Sequence, residues 1–175
     1  MKKSYTNEEI RALAVLAAAD YAAACNGPTI RGKNGEKHLR GTSLEEVAKA
    51  NDMTLDEVAA LTVDLSTATF EELPPHWQAV NIDSAEGMIA LMKAMGGESL
   101  ILALDLRDTA IRNHYGAILH QLWLDQPANS WAKGGDLDKP FSALPKEEQD
   151  KDIQQLMSLQ KWLIAMQMPE RVSPT

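Results

Sequence analysis

The chain has 175 residues, enough for one domain of ordinary size, and 45% of them are apolar, enough to fill a core. Its formal charge of −8, from 17 basic and 25 acidic residues, argues against a general nucleic-acid binder, whose affinity comes from neutralising phosphates. The single cysteine, Cys25, excludes a disulfide framework and a Cys-rich zinc site, no apolar run reaches the roughly 18 residues of a membrane span, and a polar, acidic stretch behind Met1-Lys2-Lys3 leaves no room for a signal peptide's apolar region, which predicts a cytoplasmic protein.

The first predicted element is a helix opened by Thr6-Asn-Glu-Glu9, a capping box in which the Thr oxygen takes an amide and the Glu reaches back. Ile10, Leu13, Ala14, Ala17, Ala18 and Tyr21 follow at helical spacing, and Asn26-Gly27-Pro28 ends the helix. Residues 29–41 form a basic, Gly-containing loop with Arg31, Lys33, Lys37, His38 and Arg40. It lacks the Gly-rich, Lys-then-Ser/Thr pattern of a phosphate cradle, so a solvated loop is the simpler reading. Ser43-Leu-Glu-Glu46 and Thr54-Leu-Asp-Glu57 are two more capping boxes and predict a small helical hairpin. Its second helix begins with Asp56 and Glu57, which are unsuited to a DNA-reading helix.

A turn at residues 69–78 contains Pro74-Pro75, and Pro75 suits the first position of a helix reaching about Met95. Ile82, Ala85, Met88, Ile89 and Met92 share one side of that helix, and Gly96-Gly97 ends it. Ser99 is placed to cap the next helix. The run Leu100 to Leu104 is open between buried helix and strand, with a break near Asp108-Thr109. Ile111, Tyr115, Ile118, Leu119 and Leu122 predict a helix ending at Gln126-Pro127. A loop over 127–139 leads into a second turn, Pro140 to Pro145. The final helix covers about 147–166, with Ile153, Leu156, Met157, Leu163 and Ile164 inward, and residues 169–175 form a tail. Met88, Met92, Met95 and Met157 fall at helical spacing and are expected in the core. No stretch alternates convincingly as a strand, so the expected class is all-α, helix packed on helix.

The two turns align at an offset of 71 residues: Phe70 with Phe141, Leu73 with Leu144, Pro74 with Pro145, Gln78 with Gln149 and Ile82 with Ile153. In each, a Phe would anchor the turn to a core and a Leu-Pro would set the entry into a helix. The expectation is one domain over 1–175 made of two pseudo-symmetric helix–turn–helix units. The first covers 5–97, with the hairpin as an insert at 29–66, and the second covers 98–168.

The order His120-x-x-Trp123, Trp131-x-x-Gly134, Pro140-Phe141-x-x-Leu144-Pro145-x-x-Glu148-x-x-Lys151-Asp152 resembles the repeat of ryanodine receptors, the RyR domain, which also occurs in small bacterial and phage proteins. Asp20-Tyr21, Pro75-His76-Trp77-Gln78 and Ser84-Ala85 match the companion unit of the bacterial members in part. The first half has Val15 and Ala18 where the His-x-x-Trp pair would stand. The resemblance implies paired helical units, and in ryanodine receptors such pairs hold an adenine nucleotide with the His-x-x-Trp tryptophans at the base of the site.

The candidate ligand-binding residues are Trp123, Trp131, Lys133, His120, Trp77 and Tyr21. Trp123 ends a helix, where its ring can either close the core or stack on a flat ligand. Trp131 lies in a polar loop with no periodic reason to be there, and Lys133 beside it can meet a phosphate as a point charge. His120, one turn before Trp123, suits either a packing histidine or an acid–base group. Trp77 sits on the first turn of its helix, near amides that favour anions, or packs as a cap on Tyr21. No two histidines stand at metal-ligand spacing, and no nucleophile motif is present. The residues therefore favour a binding module for a nucleotide-like small molecule over an enzyme, with no cofactor, metal, nucleic acid or membrane. A protein-interaction adaptor is the alternative.

Overall fold

A computed structural model of the chain describes residues 4–34 and 39–168, with Ala128 and Trp131 described by backbone alone. Lys37, His38 and the tail at 169–175 lie outside the described residues. The described chain is mostly helical, with seven α-helices and one small sheet. The helices are α1 (Asn7–Ala24), α2 (Leu44–Asn51), α3 (Leu55–Leu61), α4 (Pro75–Met95), α5 (Glu98–Ala103), α6 (Thr109–Asp125) and α7 (Lys146–Gln167). The strands are β1 (Ile30–Gly32), β2 (Arg40–Gly41) and β3 (Thr62–Asp64). The chain divides into two compact units, one of residues 18–81 and one of residues 1–17 with 82–175. The division falls inside α1 and α4 and does not follow the boundary of the two turn-bearing halves.

In the unit of residues 18–81, the sheet corrects the purely helical expectation. Its order is β2-β1-β3, antiparallel throughout, with Ile30 opposite Gly41 and Asp64, and Arg31 opposite Arg40 and Val63. Strands of two or three residues are too short to show alternation, so their pattern is invisible until partners are present. The hairpin of α2 and α3 forms as its caps predict. Ser43 Oγ accepts the Glu46 amide at 3.1 Å, and Thr54 and Glu57 exchange both bonds of a capping box. Between the hairpin and the sheet lies a core of Ile30, Leu39, Val47, Ala48 and Val58. Gly41 is required there, because a Cβ would sit 2.5 Å from Val47 Cγ2.

In the other unit, Leu13 and Ala14 of α1, Met88, Ile89 and Met92 of α4, and Ile101 of α5 are buried. So are Leu119 of α6 and Ile153, Leu156, Leu159, Trp162 and Leu163 of α7. The open run after Gly97 resolves as helix. It begins at Glu98 behind Gly97 (φ 95°) rather than at a Ser99 cap. It stops at Ala103, where Gln160 of α7 donates to the carbonyls of Ile101 (2.7 Å) and Leu104 (2.9 Å). Asp108 then caps α6, accepting the amides of Ala110 and Ile111. Met157 and Ile164, expected inward, are exposed, as is Leu122 of α6. On α7, Ser158 and Trp162 take the inward positions beside Leu159 and Leu163.

The two turns adopt the same local conformation. Phe70–Glu72 and Phe141–Ala143 are short 3₁₀ turns with buried Phe70 and Phe141. The Leu73 and Leu144 amides donate to the carbonyls of Phe70 and Phe141. Gln78 and Gln149 each return their side-chain amide to the Leu73 and Leu144 carbonyls at 2.9 Å.

Candidate ligand-binding site

Two of the six candidate residues, His120 and Trp123, stand one turn apart near the end of α6, and the structure brings them together. Their rings lie nearly parallel, 17° apart, with centroids separated by 6.0 Å. His120 is 5% exposed, and both of its ring nitrogens are engaged. Nδ1 is 3.1 Å from Oδ2 of Asp152 on α7, and Nε2 is 3.0 Å from the carbonyl of Leu137 in the loop before the second turn. Of the two sequence readings of His120, the geometry is that of a hydrogen-bonded packing histidine.

Asp152 is buried, which pushes its carboxyl up from 3.8 to about 6. His120 opposes that shift, Glu148 adds to it, and Lys151 reduces it. Glu148 and Lys151 pair with each other at 2.7 Å. A buried carboxyl facing an imidazole is strongly favoured only while a proton lies between them, because an unpaired buried charge is expensive.

Trp123 is half-buried. Its carbonyl closes the helix end by accepting the Gln126 amide at 3.2 Å and the Asn129 side chain at 2.9 Å. The chain then turns through a 3₁₀ segment, Pro127–Ala132, in which Ala132 is buried. The Trp131 side chain lies outside what is described. Lys133 is exposed at the end of this segment. Gly134 follows at φ 76° and donates its amide to Asp138 at 2.7 Å. The loop is thus folded on itself and attached to α6 through Leu137.

Tyr21 and Trp77 fall in the unit of residues 18–81. Tyr21 is half-buried, and its carbonyl accepts Cys25 Sγ at 3.4 Å. Trp77 is half-buried with its ring edge-on to His76 at 5.8 Å. Its own amide donates to the Pro74 carbonyl at 2.8 Å. Asp105 and Asp108 lie in the break between α5 and α6, where Asp105 pairs with Arg107 and Asp108 caps α6. Among the described residues, no group of three or more His, Cys, Asp or Glu is placed to hold a metal, and no helix is long and apolar enough to cross a membrane.

Three features escaped the residue pattern. Asp152 belongs to the Lys-Asp motif but received no role, because its partner lies 32 residues away in the chain. Gly116 of α6 faces the Phe141 ring so closely that a Cβ would meet Cζ at 2.2 Å. An open groove of about 370 Å³ lies in the unit of residues 18–81, lined by Pro28, Ile30, Ser43, Leu44, Glu45, Ala59, Thr62 and Asp64 and by none of the six candidates. No protein-family model, curated protein or solved structure matches the chain.

Proposed function

We propose that the chain is a small-molecule binding module of the RyR-repeat kind, acting in the cytoplasm to sense or sequester a nucleotide or nucleotide-derived ligand. One observation carries this reading. The His120 ring, held from both nitrogens, lies parallel to a Trp123 ring that remains partly exposed at a helix end. A rigid, half-open indole loses little freedom on stacking, and base stacking contributes roughly 1–3 kcal/mol per base. Trp131 and Lys133, in the segment that follows, would add a second flat face and a phosphate contact.

The test is a thermal-shift screen with nucleotides, cyclic nucleotides and ADP-ribose derivatives, since a ligand bound only by the native state raises the melting temperature. A shift lost in Trp123→Ala, with an affinity drop of about tenfold for each 1.4 kcal/mol of stacking removed, supports the reading. No shift with any compound at saturating concentration, or a shift unchanged in Trp123→Ala, overturns it.

A protein-interaction adaptor is the second reading. It is favoured by Leu55 and Leu61 of α3, which are 48% and 40% exposed, together with the open groove in the same unit. Loss of partner capture in Leu55→Ser, without loss of any nucleotide shift, would separate the two.

A further inference from the structure

The hydrogen count around His120 has a consequence independent of any ligand. The Leu137 carbonyl can only accept, so Nε2 must carry a hydrogen for that bond to exist. The bond at Nδ1 then needs a second proton, either on the ring, facing a carboxylate, or on the Asp152 carboxyl, facing a bare nitrogen. Both bonds therefore require one proton more than a neutral ring and a carboxylate contain. A further proton on the pair leaves both bonds intact, since Nδ1–H can donate to a carboxylic acid. Removing the last extra proton leaves one N–H for two acceptors. The carboxylate is the stronger acceptor, because hydrogen bonds to ionised groups are about twice as strong as neutral ones. The hydrogen then settles on Nδ1, and the Leu137 carbonyl faces a lone pair.

We propose that the His120–Asp152 pair is a proton-dependent latch on the loop at 133–140: the protonated pair ties the loop to α6 through Leu137, and the deprotonated pair releases it. The loop's other described hydrogen bonds are local, among them those from Gly134 to Asp138, from Gly135 to Ala132, from Asp138 to Gly135, from Lys133 to Ser130 and from Lys139 to Asp136, and the Leu137 side chain packs on Phe141, Leu144 and Ile153, so the bond from His120 is the polar tie that holds this stretch to α6. The charged groups around the pair leave this balance to the pair itself. On α7, Glu148 and Lys151 act on Asp152 in opposite directions and neutralise each other in an ion pair. On the loop, Asp136 is paired with Lys139, and Asp138 is occupied by the Gly134 amide. The third neighbour of the ring is the uncharged Trp123.

The experiment follows the histidine ring nitrogens by NMR, together with hydrogen exchange of the 134–139 amides corrected for intrinsic rates, across a pH series that starts at about pH 5 and runs to alkaline pH. The expected result is loss of the Nε2–H signal as the pH rises, with a parallel loss of protection across 134–139 while the rest of α6 stays protected. In Asp152→Asn the amide can donate to Nδ1, so a neutral ring satisfies both bonds and the pH dependence should vanish with the fold intact. Loop protection that is flat with pH in the wild type overturns the proposal. So does an Asp152→Asn variant that titrates as the wild type does. If Asp152→Asn does not fold, the wild-type titration decides alone: Nε2–H loss and loop exposure must share one midpoint, and separate midpoints overturn the latch.

Discussion

At Gly116 two opposing effects can be weighed directly. Replacing a helical Gly by Ala ordinarily stabilises by about 1 kcal/mol, because glycine loses more backbone freedom on folding. Here the new Cβ would lie 2.2 Å from Cζ and 2.5 Å from both Cε atoms of a buried Phe141. An aromatic ring cannot yield by bending, so it must shift as a body within a packed core, at a cost of about 1–3 kcal/mol for overpacking. Gly116→Ala is therefore expected to lower stability by up to about 2 kcal/mol net, read as a lower denaturant midpoint with an unchanged slope. A stabilising result would mean that the second turn repacks freely. The Phe anchor itself was legible, because a large aromatic beside a Leu-Pro has few other uses. The small residue opposite it was not, since Gly116 sits 25 positions earlier in an ordinary helical sequence.

At the scale of elements, local signals predicted the helices well. Thr6, Ser43 and Thr54 each cap where the capping-box pattern placed them, and Pro75 opens α4. The misses share one physical cause, which is partners distant in sequence. The sheet has strands of two or three residues and exists through pairings such as Arg31 with Val63. The end of α5 is set by Gln160, 59 residues from Ile101. Gln160→Leu keeps the bulk but removes the side-chain donor from the Leu104 carbonyl and leaves the Ile101 carbonyl with the Leu104 amide alone. The expected loss is about 1–3 kcal/mol, the usual cost of a buried polar group left unpaired. Amide exchange should show the loosening concentrated in α5, and uniform loosening along α7 would refute this account of the helix end.

For the whole molecule, charge couples stability to pH in two opposite senses. The Glu46, Glu57 and Glu72 carboxylates are held below 4.5, chiefly by hydrogen bonds from Thr42, Thr54 and Thr69, and an ion pair with Lys146 holds Asp150 below 3.8. Groups lowered in the folded state stabilise it above their ordinary values, and that contribution is lost as the pH falls through the depressed values. Asp152 has the reverse sign. Burial raises it from 3.8 to about 6, so its contribution is full below 3.8 and is lost as the pH rises to about 6. The lowered groups are largely solvent-exposed and screened, so stability should fall modestly on acidification below about pH 4, where side-chain carboxylates take up protons. Asn cannot ionise and satisfies both bonds of the His120 ring, so wild type should lose stability relative to Asp152→Asn as the pH rises from 3.8 to about 6. Melting temperatures from below about pH 4 to above about pH 6 measure both, and a wild type that gains on Asp152→Asn as the pH rises would reverse the sign assigned to Asp152.

Periodicity, caps and prolines settled the helical class, most helix limits and the two Phe-anchored turns, because each depends on residues within about one helical turn of one another. Which apolar residues face inward was only partly open to such reasoning. Met157 and Ile164 share the helical spacing of Leu156 and Leu163, yet they are exposed, because a stripe's inward edge is set by the neighbour it packs on. The joining of His120 to Asp152 and Leu137, the approach of Gly116 to Phe141 and the three-stranded sheet were decided by tertiary structure alone. Each is a contact between segments whose local sequences are satisfied without it. Only the closing of the chain brings a donor, an acceptor or a surface of the right shape within reach.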